Sequence, residues 1–232
     1  MEFDGTQLTI GTGAQAEVLL YHDYAYKIYK PSYPARWISY EIEIQDKVNR
    51  AGLTPVRYYD TDDPHIIRMD FVEGEVLEGR AIAGDITSFD ILADAFRTVH
   101  MKTVTDVPVA RLAQETEYVL EGDERELAAK VISRLTEKYG ECLCHLDMHF
   151  LNIIVKPGNK GYTLIDWMNA RIAPFVFDYA RTYVIFDEFS KEGLAVYKEK
   201  VLPQMWEKGV TEEDFEDAVK ICSIFRSKEK RE

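Results

Sequence analysis

Apolar and polar positions alternate over the first third of the chain, and from about residue 86 the spacing becomes helical. Leu8-Thr9-Ile10 reads as a short strand, followed by Leu19-Leu20-Tyr21 and by Tyr24–Tyr29. In Tyr24–Tyr29 the alternation puts Ala25, Lys27 and Tyr29 on one face. His22-Asp23 makes the turn between the last two strands. Pro31 and Pro34 interrupt the pattern, and residues 37–50 form a helix with apolar positions at Ile38, Ile42, Ile44 and Val48. Gly52 ends that helix. Strands are expected at 56–60 and 66–72, separated by an Asp-Asp-Pro turn. Phe89, Leu92, Ala93, Phe96, Val99 and His100 then mark an amphipathic helix over 86–101. Asp85, Thr87 or Ser88 can cap it. Further helices are expected at 109–120, 124–139, 178–189, 192–206 and 212–225. Thr211 and Asp214 have the spacing of a capping box. The closing 227–232 reads as a frayed charged tail.

One stretch interrupts this helical half. Residues 142–167 read CLCHLDMHFLNIIVKPGNKGYTLIDW. Ile153-Ile154-Val155 and Tyr162–Ile165 form two strands joined by a Pro-Gly-Asn turn. Asn152 and Asp166 lie one step outside this hairpin, so they are expected to face each other with Cα atoms roughly 5 Å apart. An amide oxygen and a carboxylate at that separation suit a hard cation such as Mg²⁺. Asp147 lies on the loop entering the same end. Two carboxylates and an amide fit phosphoryl transfer, in which one carboxylate receives or orients a hydroxyl proton and the other ligands hold the metal.

The spacing H-x-D-x-x-x-x-N, with a following strand-end Asp, resembles the catalytic segments of protein-kinase-like enzymes. His149 and Ile165-Asp166-Trp167 narrow this to one branch. The pattern is similar to the H-G-D-x-H-x-x-N…I-D-W of the aminoglycoside phosphotransferase and choline kinase family. Leu146 stands where that family usually has Gly, a departure expected to alter packing rather than chemistry. The resemblance implies an α+β, two-lobed protein-kinase-like fold. Residues 1–74 would form a small antiparallel lobe with one helix and the hinge, and residues 75–232 a mainly helical lobe.

It further implies a small-molecule kinase that moves the γ-phosphate of ATP or GTP to a hydroxyl of an aminoglycoside-like, choline-like or sugar acceptor. Asp147 would act on the hydroxyl, His145 would support the loop, and Asn152 and Asp166 would hold Mg²⁺. Gly11 and Gly13 resemble the glycine-rich phosphate loop, with Ala16 in place of its third glycine. Val18 and Ala25 would cover the adenine, and Lys27 would contact the phosphates. Met69, Asp70 and Val72 would form the hinge, its backbone reading the base edge. A helix glutamate must pair with Lys27. Family spacing favours Glu41, with Glu43 as the alternative. Asp178 either caps its helix or, by the resemblance, braces the catalytic loop. A compact protein kinase is disfavoured, because the chain from Asp166 to Asp178 is too short for a peptide platform and lacks Ala-Pro-Glu. A silent binding module on this fold is disfavoured by the intact catalytic residues.

Composition changes this picture little. The net charge of −13 opposes nucleic-acid binding through a basic patch and is compatible with a cationic acceptor. No apolar run reaches the ~20 residues of a membrane span. Three cysteines without a secretory leader point to the cytoplasm. Cys142, Cys144, His145 and His149 are zinc-type ligands. The alternation of the two cysteines within an apolar segment instead favours buried free thiols.

Overall fold

The computed structural model describes residues 3–229. The described residues form two compact units. One holds the chain up to Glu75 together with Ile154–Met168, and the other holds Val76–Ile153 and the chain from Asn169 onward.

The first unit is built on five antiparallel strands in the order β1-β2-β3-β5-β4. They are β1 (Leu8–Thr12), β2 (Ala16–Tyr21), β3 (Tyr24–Tyr29), β4 (Tyr58–Tyr59) and β5 (Ile66–Asp70). β3 is central. It pairs Val18 with Lys27 on one side and Lys27 with Ile67 on the other. The expected strands at 56–60 and 66–72 are shorter here. Helix α1 (Ala35–Arg50) starts after the extended Pro34 and packs Ile38 onto Ala25, Tyr29, Ile67 and Met69. Gly52 ends it with φ +74°, a left-handed turn in which its N–H reaches the Asn49 carbonyl at 2.9 Å. The buried stripe of α1 is Ile38, Glu41, Ile44, Gln45 and Val48. Glu41 joins this stripe, and Ile42, expected there, packs half-buried against the core.

Strands β6 (Glu75–Val76), β8 (Ile153–Val155) and β9 (Tyr162–Leu164) form a three-stranded sheet in the order β6-β8-β9. Gly74 precedes β6, and a Cβ there would lie 2.4 Å from the Val155 carbonyl oxygen, so only glycine allows this approach. The β8–β9 connection is a 3-10 turn, Pro157–Asn159, closed by Lys156 N–H to Gly161 O at 2.9 Å.

The second unit is helical apart from the two-stranded pairing of β7 (Cys142–Cys144) with β10 (Arg171–Ala173). Its helices are α2 (Leu77–Ile82), α3 (Thr87–His100), α4 (Leu112–Val119), α5 (Gly122–Tyr139), α6 (Val176–Phe189), α7 (Lys191–Lys200), α8 (Pro203–Trp206) and α9 (Glu212–Glu229). The core is aromatic. Phe96, Phe177, Tyr179 and Tyr197 are fully buried, each burial contributing about 2–3 kcal/mol.

Local chemistry sets the element ends. The Asp85 carboxylate accepts the Thr87 N–H at the start of α3. α5 starts two residues earlier than the expected 124, and Asp123 and Glu124 lie in its first turn, where carboxylates face the helix dipole favourably. Pro203 splits the expected helix at 192–206 into α7 and α8. The Thr211 hydroxyl accepts the Asp214 N–H and donates to its carboxylate, so the return contact differs from a full capping box. Ser227–Glu229 continue α9, correcting the expected tail, and 230–232 lie outside the described residues. No helix among the described residues is long and apolar enough to cross a membrane.

Candidate active site

In the first unit, Lys27 lies mid-strand on β3, and its ammonium is 2.8 Å from Glu41 Oε1 and 3.5 Å from Asp166 Oδ1. The Glu41 side chain is 1% exposed, and its second oxygen accepts the Tyr29 hydroxyl. Glu43, the alternative partner, instead pairs with Lys47 on the outer face of α1. Burial works against the charge of Lys27, but Asp166 and Glu41 outweigh it and hold the ammonium well above its ordinary value. Glu41 shifts upward. Burial is the largest cause, opposed by Lys27 and aided by Asp166.

The glycine-rich stretch is a hairpin turn. Gly11 lies inside β1 at a bulge opposite Val18, and Gly13 N–H closes onto the Ala16 carbonyl at 2.8 Å. Ala25 and Met69 are buried in the core beneath, and Val18 packs against it. Asp70 ends β5, its carboxylate taking the Arg57 N–H and the Tyr59 hydroxyl, and Val72 follows outside the strand. β9 ends at Leu164, so Asp166 lies further from the paired strands than expected. Its backbone is left-handed, with φ +60°.

In the second unit, β7 leads into a buried loop. Leu146 adopts φ +56°, a conformation costly for a leucine and free for the glycine usual there. Asp178, in the first turn of α6 rather than at its cap, is fully buried. Its two oxygens accept the peptide N–H groups of His145 (3.0 Å) and Leu146 (2.8 Å). Oδ2, which accepts from His145, also lies 2.9 Å from His100 Nε2. Sequence reasoning placed His100 on the apolar face of its helix and missed this contact. Tyr29 was missed too, since its hydroxyl looked like part of an apolar face.

Asp147 follows Leu146. Asn152, at the end of a 3-10 turn (Phe150–Asn152), donates its amide to the Asp147 carbonyl at 2.8 Å and carboxylate at 3.1 Å. His149 Nε2 lies 3.5 Å from that carboxylate. Burial pushes Asp147 up, but the His149 hydrogen bond and the charges of His149, Arg181 and His145 hold it well below the ordinary carboxylate range. A small pocket beside this loop is lined by Leu146, Asn169, Glu115, Arg181, Phe225 and Glu229 among others, with a volume of about 40 Å³. Glu115 is paired with Arg171, and Glu229 with Arg181. The cysteines join neither His145 nor His149. Their sulfurs instead gather with His100.

The model of the phosphotransferase enzyme family matches residues 6–209, most of the chain. The chain belongs to this family. No curated protein matches it in sequence. Among solved structures, this phosphotransferase-family chain is similar in fold to an aminoglycoside phosphotransferase from Streptomyces rimosus. That match has a TM-score of 0.65 at 15% identity and covers 94% of this chain and 92% of that one. The same Streptomyces enzyme in complex with ADP and streptomycin matches with a TM-score of 0.62 at 14% identity, covering 94% and 92%. A choline/ethanolamine kinase family protein from Mesorhizobium loti matches with a TM-score of 0.57 at 14% identity, covering 96% and 88%. Identities this low establish the α+β kinase-like fold.

Proposed function

We propose that the protein is a small-molecule kinase that transfers the γ-phosphate of ATP or GTP to a hydroxyl group. The observation that carries this reading is the Lys27 ammonium, gripped by Glu41 at 2.8 Å and facing Asp166 at 3.5 Å. A half-buried lysine so held is a fixed positive charge for nucleotide phosphates, and Gly13, without a side chain of its own, closes the β1–β2 hairpin turn through its N–H to the Ala16 carbonyl. ADP is a ligand of the Streptomyces rimosus enzyme, which supports a nucleotide donor here. In this reading Val18, Ala25, Met69, Asp70 and Val72 surround the base.

Asp147 is the residue that meets the acceptor hydroxyl. Held below its ordinary range, it stays ionised and is a weak proton abstractor, so its role is to accept and orient the hydroxyl proton. Asn152 and His149 fix its carboxylate, and His145 is locked beneath through its peptide N–H. Asn152 and Asp166 flank the β8–β9 hairpin in the chain and are the proposed Mg²⁺ ligands. The Asn152 amide nitrogen is turned to Asp147, leaving its oxygen as the ligand atom, and Asp166 is 39% exposed. Hard oxygen donors of this kind fit Mg²⁺, which when bound neutralises phosphate charge. The acceptor is a small hydroxyl compound. Both acids of the pocket beside Leu146 are already neutralised by arginines, so a polycation finds less free negative charge there than the net charge implies.

The test is nucleoside-diphosphate release with Mg²⁺ and ATP or GTP, across aminoglycosides, choline, ethanolamine and sugars. Acceptor-dependent release lost in Asp147→Asn is expected. Equal release by wild type and variant would sink the assignment.

A further inference from the structure

Outside the catalytic loop, three potential ligand atoms converge in the second unit. A ring nitrogen of His100 and the sulfurs of Cys142 and Cys144 all lie within 4.8 Å of one another. The backbone creates this cluster. Cys142 and Cys144 are two apart on β7 and so share one face, and His100 ends α3. The His100 side chain is 4% exposed, and its two nitrogens have different surroundings. Nε2 lies 2.9 Å from the Asp178 carboxylate, whereas Nδ1 is buried without a hydrogen-bond partner. A carboxylate on Nε2 fixes the proton there and leaves the Nδ1 lone pair unused. Such an outer carboxylate is what orients metal-bound histidines. A buried nitrogen without a hydrogen-bond partner, on a ring that brings one of its nitrogens to two thiols, calls for an explanation.

We propose that His100, Cys142 and Cys144 form a binding site for a thiophilic cation, Zn²⁺, with His100 Nδ1 as the nitrogen ligand. Thiolate and imidazole donors are the zinc set, and ligand atoms at these separations need to move by less than about 1 Å to reach bonding distances of ~2.0–2.3 Å. Both thiols lose their protons to solvent as the two Zn–S bonds form. Because both thiols must be deprotonated to bind, occupancy falls as the solution is made acidic. Cys142 is only half-buried, so the cluster is reachable from its side. The site is separate from the proposed Mg²⁺ ligands, which are oxygen atoms.

The full chain, purified without a polyhistidine tag, is dialysed against Zn²⁺ or Co²⁺ and freed of excess ion. The expected result is about one metal per chain, with sulfur-to-cobalt charge-transfer absorption in the Co²⁺ form. Cys142→Ser alters a half-buried residue and should abolish that absorption, weakening Zn²⁺ binding beyond the ~10–100-fold of an outer-shell change. Cys222→Ala, at the third cysteine, should keep both. Wild-type protein that retains no metal and shows no cobalt–thiolate band overturns the proposal. So does an undiminished band in Cys142→Ser.

Discussion

Glu41 and Asp147 are both acids packed into the protein, yet their surroundings push them in opposite directions. Glu41 has the Lys27 ammonium and the Tyr29 hydroxyl as donors, but it also feels the negative Asp166, and desolvation prevails. Asp147 is surrounded by His149, Asn152, Arg181 and His145, with no competing acid among the causes of its shift, and its charge is favoured. The balance of neighbouring donors and charges, rather than burial itself, decides the sign. One acid anchors a cation, and the other is kept ready as an acceptor.

The largest expected effect is at Asp147. Asp147→Asn preserves shape and removes the charge, and it should lower kcat by about 10²–10⁴-fold in the diphosphate-release assay. At Glu41 the effect should fall on stability. Lys27→Met should cost about 3 kcal/mol in urea unfolding, because it leaves the buried Glu41 without its cation, and Glu41→Gln should cost less, because Asp166 still faces the ammonium at 3.5 Å. The double variant should cost less than their sum.

Acid titration of stability sharpens the contrast. A carboxylate held below its ordinary 3.8 contributes stability that is complete above that value and is lost as the pH falls below it. Asp147 and Asp214 are both of this kind. Asp214 is shifted upward by burial and further downward by hydrogen bonds from Lys138, Tyr139, Thr211 and Arg134. Asp147→Asn should therefore flatten the decline in unfolding free energy below pH 3.8. Glu41→Gln should not, since a raised acid favours the folded state as the pH falls. The smallest effect is at Leu146. Leu146→Gly relieves about 1–2 kcal/mol of left-handed strain and loses about 1.5–3 kcal/mol of burial. A net loss of about 1 kcal/mol, with kcat nearly unchanged, is the expected outcome.

The kinase-like fold was readable because its signals are local. Helical spacing announced α1 and α3, and the spacing from His145 to Asn152 carried the family resemblance. Elements too short to show a period were not readable, such as β10 and α2. Buried polar contacts between distant segments were equally silent. His100 and Asp178 are 78 residues apart, and nothing in either local pattern points to the other. Glu41 illustrates the opposite limit. Helical periodicity assigned its buried stripe to apolar residues, and the Lys27 ammonium and Tyr29 hydroxyl let a carboxylate join it.

Asp178 ties the peptide groups of His145 and Leu146 to a site with no solvent exposure. Amides held in this way exchange with deuterium only when the surrounding core opens. In a hydrogen-exchange experiment these two loop positions should therefore rank with the slowest helical amides of α6. Although it lacks regular secondary structure, this loop should keep time with the core.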